Sequence, residues 1–190
     1  MKTKRIIGMV IWVVVLAGIA AGVTAIIRHN RHEAMRSNAV SLYNQGQFEE
    51  AIELFSRFDD ENAGFWVRRC RQGIADRDAA TLQDAGRLQE ALELLNEANP
   101  ESELLPQIAL ERAKQLVGQG EPEAALAILQ SVPQTGAIER YLPECEQAVD
   151  EKRFFSLLDE GRLADAMAIF DERSAGLTGE QRTQWIAALL

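Results

Sequence analysis

LYNQGQFEEA, residues 42–51, decides how this chain folds, together with three later stretches of the same shape: LQDAGRLQEA at 82–91, LVGQGEPEAA at 116–125 and LLDEGRLADA at 157–166. The four align without a gap. Each places Leu four residues before a glycine and Ala five residues after it, and the glycines are Gly46, Gly86, Gly120 and Gly161, spaced 40, 34 and 41 residues apart. A recurrence of that size marks stacked supersecondary units rather than one closed core. The residue types suit a helix-turn-helix. A leucine ending one helix packs inward, the glycine supplies a turn in which a side chain would be strained, and the alanine lets the next helix lie close against the first.

Beyond each alanine, apolar residues recur at helical spacing: Ile52 and Phe55, Leu92 and Leu95, Leu126 and Leu129, Met167 and Phe170. These are expected to be the buried faces of second helices. Helix breakers then close the units at Asp59 to Gly64, Asn99-Pro100, Pro133 to Gly136 and Ser174 to Gly176. The first unit, with Ala39, Leu42, Tyr43, Gly46, Phe48, Ala51 and Phe55, resembles the tetratricopeptide repeat, a helix-turn-helix of about 34 residues. The resemblance runs from Glu33 to about Arg173. It implies an all-α fold, a right-handed α-solenoid of about four helix pairs over residues 33–177, with a C-terminal capping helix at 178–190.

The two longer units share a second signature. Trp66-x-x-x-Cys70 and Tyr141-x-x-x-Cys145 each place the cysteine sixteen residues before the next repeat glycine. An aromatic and a cysteine four apart fall on one face of a longer first helix, where packing is the expected role ahead of redox or metal chemistry. A repeat unit contacts only its neighbours, so Cys70 and Cys145 are not expected to pair.

Residues 6–27, IIGMVIWVVVLAGIAAGVTAII, carry no charge. As a helix this run is about 33 Å long and matches a bilayer core of about 30 Å. It is expected to be a single-pass transmembrane helix behind a basic tail at residues 1–5. The competing reading is a cleaved secretory signal with Val23-Thr24-Ala25 at the cleavage site, but the apolar run continues past that site and exceeds the roughly 7 to 15 residues of a signal core. Lys2, Lys4 and Arg5 face Arg28, Arg31 and Arg36 across the segment; a short tail bearing only positive charge resists translocation, which favours the remainder lying outside the cytoplasm. Gly18 and Gly22 have the spacing that lets two membrane helices approach closely, so homo- or hetero-oligomeric association and a helix with no dedicated partner are both open. From Val23 to Gln45 there is neither proline nor glycine, so juxtamembrane residues 28–32 are expected to continue as helix into the first repeat.

The net charge of −9 disfavours nucleic acid and anionic lipid as partners; basic proteins or peptide segments fit it, as does simple solubility. His29 and His32 are the only histidines, which leaves any nucleophile in the repeats without its usual base. No phosphate-binding glycine loop occurs, and Glu49, Glu50, Glu90, Glu123 and Asp165 fall where second helices begin and favour the helix dipole. Neither catalysis nor a cofactor nor a metal is expected. The resemblance implies a groove lined by first helices, at Arg36, Val40 and Tyr43; Asp76, Ala80 and Gln83; Leu110, Lys114 and Val117; and Glu151, Phe155 and Leu158. That set is mixed rather than basic, and the paired Lys and Asn of the family's carboxylate clamp are missing from it, which disfavours capture of an acidic chaperone tail. The expected function is a membrane-anchored adaptor or scaffold that binds a protein or extended peptide. The alternative is a structural subunit of a membrane complex, assembled through the transmembrane helix and a C-terminal helix opened by Thr178-x-x-Gln181 and bearing Trp185, Ile186, Leu189 and Leu190.

Overall fold

Each repeat glycine does what its place in the sequence requires. Gly46, Gly86, Gly120 and Gly161 have φ of +76°, +73°, +81° and +75°, and among the described residues they alone have positive φ. Each donates its N–H to the carbonyl three residues back, Tyr43 at 3.0 Å, Gln83 at 2.8 Å, Val117 at 3.0 Å and Leu158 at 2.9 Å. The next residue donates to the repeat leucine: Gln47 to Leu42, Arg87 to Leu82 and Glu121 to Leu116 at 2.9 Å, and Arg162 to Leu157 at 2.8 Å. This two-bond closure is the Schellman motif. The leucine therefore supplies a carbonyl acceptor as well as an apolar side chain. Ala51, Ala91, Ala125 and Ala166 close the first turn of the following helix by donating to Gln47, Arg87, Glu121 and Arg162, and all four are fully buried.

The computed structural model describes residues 22, 23, 26 and 29–190, and all their regular structure is helical. Helix α1 covers residues 29–44. It is followed by α2 (Phe48–Phe55), α3 (Glu61–Asp84), α4 (Leu88–Ala98), α5 (Leu104–Gly118), α6 (Pro122–Ser131), α7 (Gly136–Asp159), α8 (Leu163–Arg173) and α9 (Gly179–Leu189). Two compact units result, one ending at Ile74 and the other running from Ala75 to Leu190.

The expected longer first helices are α3 and α7, of 24 residues each, against 15 for α5. The difference adds about 13 Å of helix. Both start on a side-chain cap: Asp60 accepts from the Ala63 N–H at 2.8 Å, and Thr135 accepts from the Ile138 N–H at 3.4 Å. Cys70 and Cys145 lie fully buried and unpaired on these helices, with the Cys145 thiol 3.6 Å from the Pro122 carbonyl.

In the first unit, Ala39, Ala51, Phe55 and Cys70 form the core, with Trp66 stacked on Phe55 at 5.6 Å. The Phe48 ring lies directly on Gly73, where an added Cβ would stand 2.5 Å from it. In the second unit the main core joins Leu88, Leu92 and Leu95 of α4 to Leu105, Ile108 and Ala109 of α5 and on to Leu129, Ile138 and Cys145. A separate cluster joins Phe154, Leu157, Ala166, Leu177 and Trp185. Where the other repeats have the buried alanines Ala39, Ala79 and Ala113, seven residues before the glycine, the fourth has Phe154, stacked on Trp185 at 4.2 Å.

Several expectations need correction. Gly64 lies inside α3 and Gly136 is the first residue of α7, because Asp60 and Thr135 fix those helix starts. Met167 is 48% exposed rather than core; in α9 only Trp185 is buried and Ile186 is exposed, as is Leu190 just beyond the helix. The capping box is present, with Thr178 and Gln181 bonding each other's backbone N–H. The transmembrane segment expected at 6–27, with Gly18, lies outside the described residues save for Gly22, Val23 and Ile26. Among the described residues no helix is long and apolar enough to cross a membrane.

Candidate partner-binding surface

Most positions expected to line a groove are already engaged by the chain itself. In the first unit, Arg36 pairs with Asp60 and holds its guanidinium 4.9 Å from the Phe58 ring centre. Val40 packs against the core, and Tyr43 lies edge-on to Trp66 at 5.2 Å and Phe48 at 5.5 Å. In the second unit, Asp76 accepts from Asn99 at 2.9 Å and Gln83 donates to Glu111 at 2.8 Å. Leu110 and Val117 flank the main core, while Phe155 and Leu158 pack around Trp185. Ala80 and Glu151 are half-buried.

Lys114 is the exception. It is exposed on α5, and its ammonium stands 5.5 Å from the ring centre of Tyr141 on α7. Together with Leu110 these residues line a shallow, widely open cleft of about 320 Å³, completed by Ala137, Arg140 and Glu144 of α7. The α5 residues lie on the repeat's ordinary first helix. Those of α7 lie on or beside its added N-terminal turns, near Pro143, whose ring removes one helical N–H and loosens the helix there.

The electrostatics of the cleft are specific. Arg140 is tethered by its Nε donating to the Gly136 carbonyl at 2.8 Å. Among the described residues neither Arg140 nor Lys114 forms a salt bridge. Burial, then the Glu144 and Cys145 charges, push the Tyr141 phenol above its ordinary range, so it stays neutral as a donor and acceptor. Burial likewise raises both cysteine thiols, with Glu146 and Glu144 adding to the effect at Cys145. No group of three or more His, Cys, Asp or Glu able to hold a metal occurs among the described residues. Two cations without a salt bridge, a neutral phenol and one carboxylate thus gather over the side chains of Leu110 and Ala137.

Ala137, Arg140, Tyr141 and Glu144 were not reachable by counting back from the glycine. The counting holds for a 34-residue unit, and these residues belong to the extension that makes the fourth unit longer. The signal that pointed to them was the Tyr141-x-x-x-Cys145 signature, which reads as packing until the exposed flank of Tyr141 is seen.

Two tetratricopeptide repeat family models match the chain, over residues 37–58 and 106–131. The chain carries tetratricopeptide-like repeats. The matched segments contain the Gly46 and Gly120 turns; the turns at Gly86 and Gly161, which follow the 24-residue helices α3 and α7, lie outside them. No curated protein and no solved structure matches the chain. Repeats of this kind generally bind proteins or peptides.

Proposed function

We propose that this chain is a non-catalytic, membrane-tethered adaptor that holds an extended segment of a partner protein in the cleft between α5 and α7. The tether is residues 6–27, with the repeats outside the cytoplasm. The observation that carries the reading is the presence of Lys114 and Arg140, both without a carboxylate partner, beside a neutral Tyr141. In so acidic a chain, most other basic side chains of the repeats are already paired, as Arg87 is with Glu90, Lys152 with Glu123, Arg162 with Asp165 and Arg173 with Asp150. Two unpaired cations facing one cleft favour a carboxylate from the partner, with an apolar side chain against Leu110. This reading departs from the expectation of a basic partner, which rested on net charge, and from the inference against an acidic tail, which rested on the missing clamp residues.

A photoreactive amino acid at Ala137, in the full chain in its native membrane, tests the reading. It is expected to capture a discrete partner that the same probe at Gln89, exposed on α4, does not. Equal capture at both positions would contradict it.

A further inference from the structure

The net charge divides unevenly between the two units. Residues 1–74 hold ten basic and seven acidic side chains, residues 75–190 ten basic and twenty-two acidic. The first unit is therefore net positive, and the second carries all of the excess acid. Within the first unit the positive charge is gathered on α3. Between Glu61 and Asp76 that helix has no carboxylate, and it carries Arg68, Arg69 and Arg71. All three are exposed, and among the described residues none of them forms a salt bridge.

Two of the arginines border an exposed aromatic ring. Phe65 is 45% exposed and edge-on to Trp66 at 5.6 Å, and the Arg69 guanidinium stands 5.9 Å from its ring centre. The Arg68 guanidinium lies back over Gly64, where a Cβ would meet its Nη1 at 4.0 Å. Helical side chains lean toward the N-terminus, so these cations gather over the first turns of α3. That end of α3 comes back to the first turns of α1: Phe58 is edge-on to His32 at 5.6 Å, and Asp60 pairs with Arg36. Helix α1 is described from residue 29, two residues past the uncharged run at 6–27.

We propose that Phe65, Arg68, Arg69 and Arg71 form a docking face for the anionic headgroups of the bilayer that holds residues 6–27. The inference rests on the tether proposed above. A cationic and aromatic helix face suits the interface of a membrane that contains anionic lipid. A charge imbalance between two parts of one chain points to such a surface or to nucleic acid, and the adjoining apolar run favours the membrane. The net charge disfavours anionic lipid only as an average over both units. Attraction to headgroups reaches about 10 Å at about 0.1 M salt, so α3 acts from above the bilayer without insertion. Asp59 and Glu61 are the carboxylates nearest the face in sequence, apart from Asp60, which is held by Arg36 and the Ala63 N–H.

The full chain in lipid nanodiscs tests it. A bimane is attached at Asn62→Cys, exposed in the first turn of α3, or at Gln89→Cys on α4 as a control; native Cys70 and Cys145 are fully buried. Lipid carrying a headgroup nitroxide is expected to quench the label at 62 several-fold more in phosphatidylglycerol discs than in phosphatidylcholine discs, with no such difference at 89. The excess should vanish in about 1 M salt, where screening shortens the reach to about 3 Å, and in Arg68→Glu/Arg69→Glu/Arg71→Glu with an unchanged melting curve. Equal quenching in the two discs, or an excess that survives either change, overturns the proposal. A label that responds to soluble polyglutamate in phosphatidylcholine discs but not to phosphatidylglycerol assigns the face to an acidic protein segment and overturns it too. A chain that separates from both discs on gel filtration contradicts the tether and the proposal with it, a failure distinct from a chain that stays in the discs unquenched.

Discussion

Replacing Gly120 with alanine isolates what the repeat turn asks of the backbone. At φ of +81° an L-residue is strained, yet an added Cβ at Gly120 meets nothing within 4 Å, so no clash contributes. The left-handed conformation costs about 1–2 kcal/mol for an L-residue. Alanine also restricts the unfolded chain, which returns about 0.4–1 kcal/mol. The net expectation is a loss of about 1 kcal/mol. Gly118 is the matched control, two residues away at the end of α5, with open space around its Cβ and no positive φ. Gly118→Ala should stabilise, by up to about 1 kcal/mol, because alanine is the better helix former. For a chain of this size 1 kcal/mol moves Tm by about 2–4 °C, so the two variants should shift the melting curve in opposite directions. Circular dichroism melts of the full chain in detergent measure this. Equal shifts of the same sign would refute the claim that the Schellman closure, rather than local packing, selects glycine.

Three further outcomes follow from particular contacts. Ala91→Leu, at a fully buried site, should overpack α4 and lower stability by about 1–3 kcal/mol in urea titration; an unchanged midpoint would mean the alanine is not a close-approach position. Lys152 donates to Glu123 at 2.8 Å and holds its carboxyl below the ordinary range. A depressed folded pKa means that this stability is present above the unfolded value near about 4.3 and lost as pH falls through the folded one. With both side chains about half exposed the effect stays under about 1 kcal/mol, and Glu123→Gln should reduce the difference in urea midpoint between neutral and acid pH. Phe154→Ala removes the ring stacked on Trp185 and should cost about 3–5 kcal/mol; an unaltered near-ultraviolet tryptophan signal would count against that stacking.

The turns were legible in the sequence because every determinant of the Schellman closure lies within ten residues and recurs four times. Ala51, Ala91, Ala125 and Ala166 are buried for the same local reason. Long-range choices were not legible. Arg36 looked available until Asp60, 24 residues on, was found to pair with it. Tyr43 faced a groove only while Trp66 was unplaced. Met167 has the periodicity of a core residue, but its burial depends on the face that α9 presents, and that face is polar. Of the twelve groove positions, Lys114 alone is exposed and meets further unpaired charge. Its neighbours come from the extension of α7 that no count from Gly161 reaches.

In the proposed complex the α5–α7 cleft holds a partner through Lys114 and Arg140. The most direct measurement is quantitative recovery of the partner captured at Ala137, comparing the wild-type chain with Lys114→Glu/Arg140→Glu at matched expression and with the melting curve as a control on folding. Both residues are exposed, so the fold should be unaffected, and recovery is expected to fall at least about tenfold, the consequence of losing about 1.4 kcal/mol or more of charge pairing. Undiminished recovery from a normally folded double variant would contradict the account.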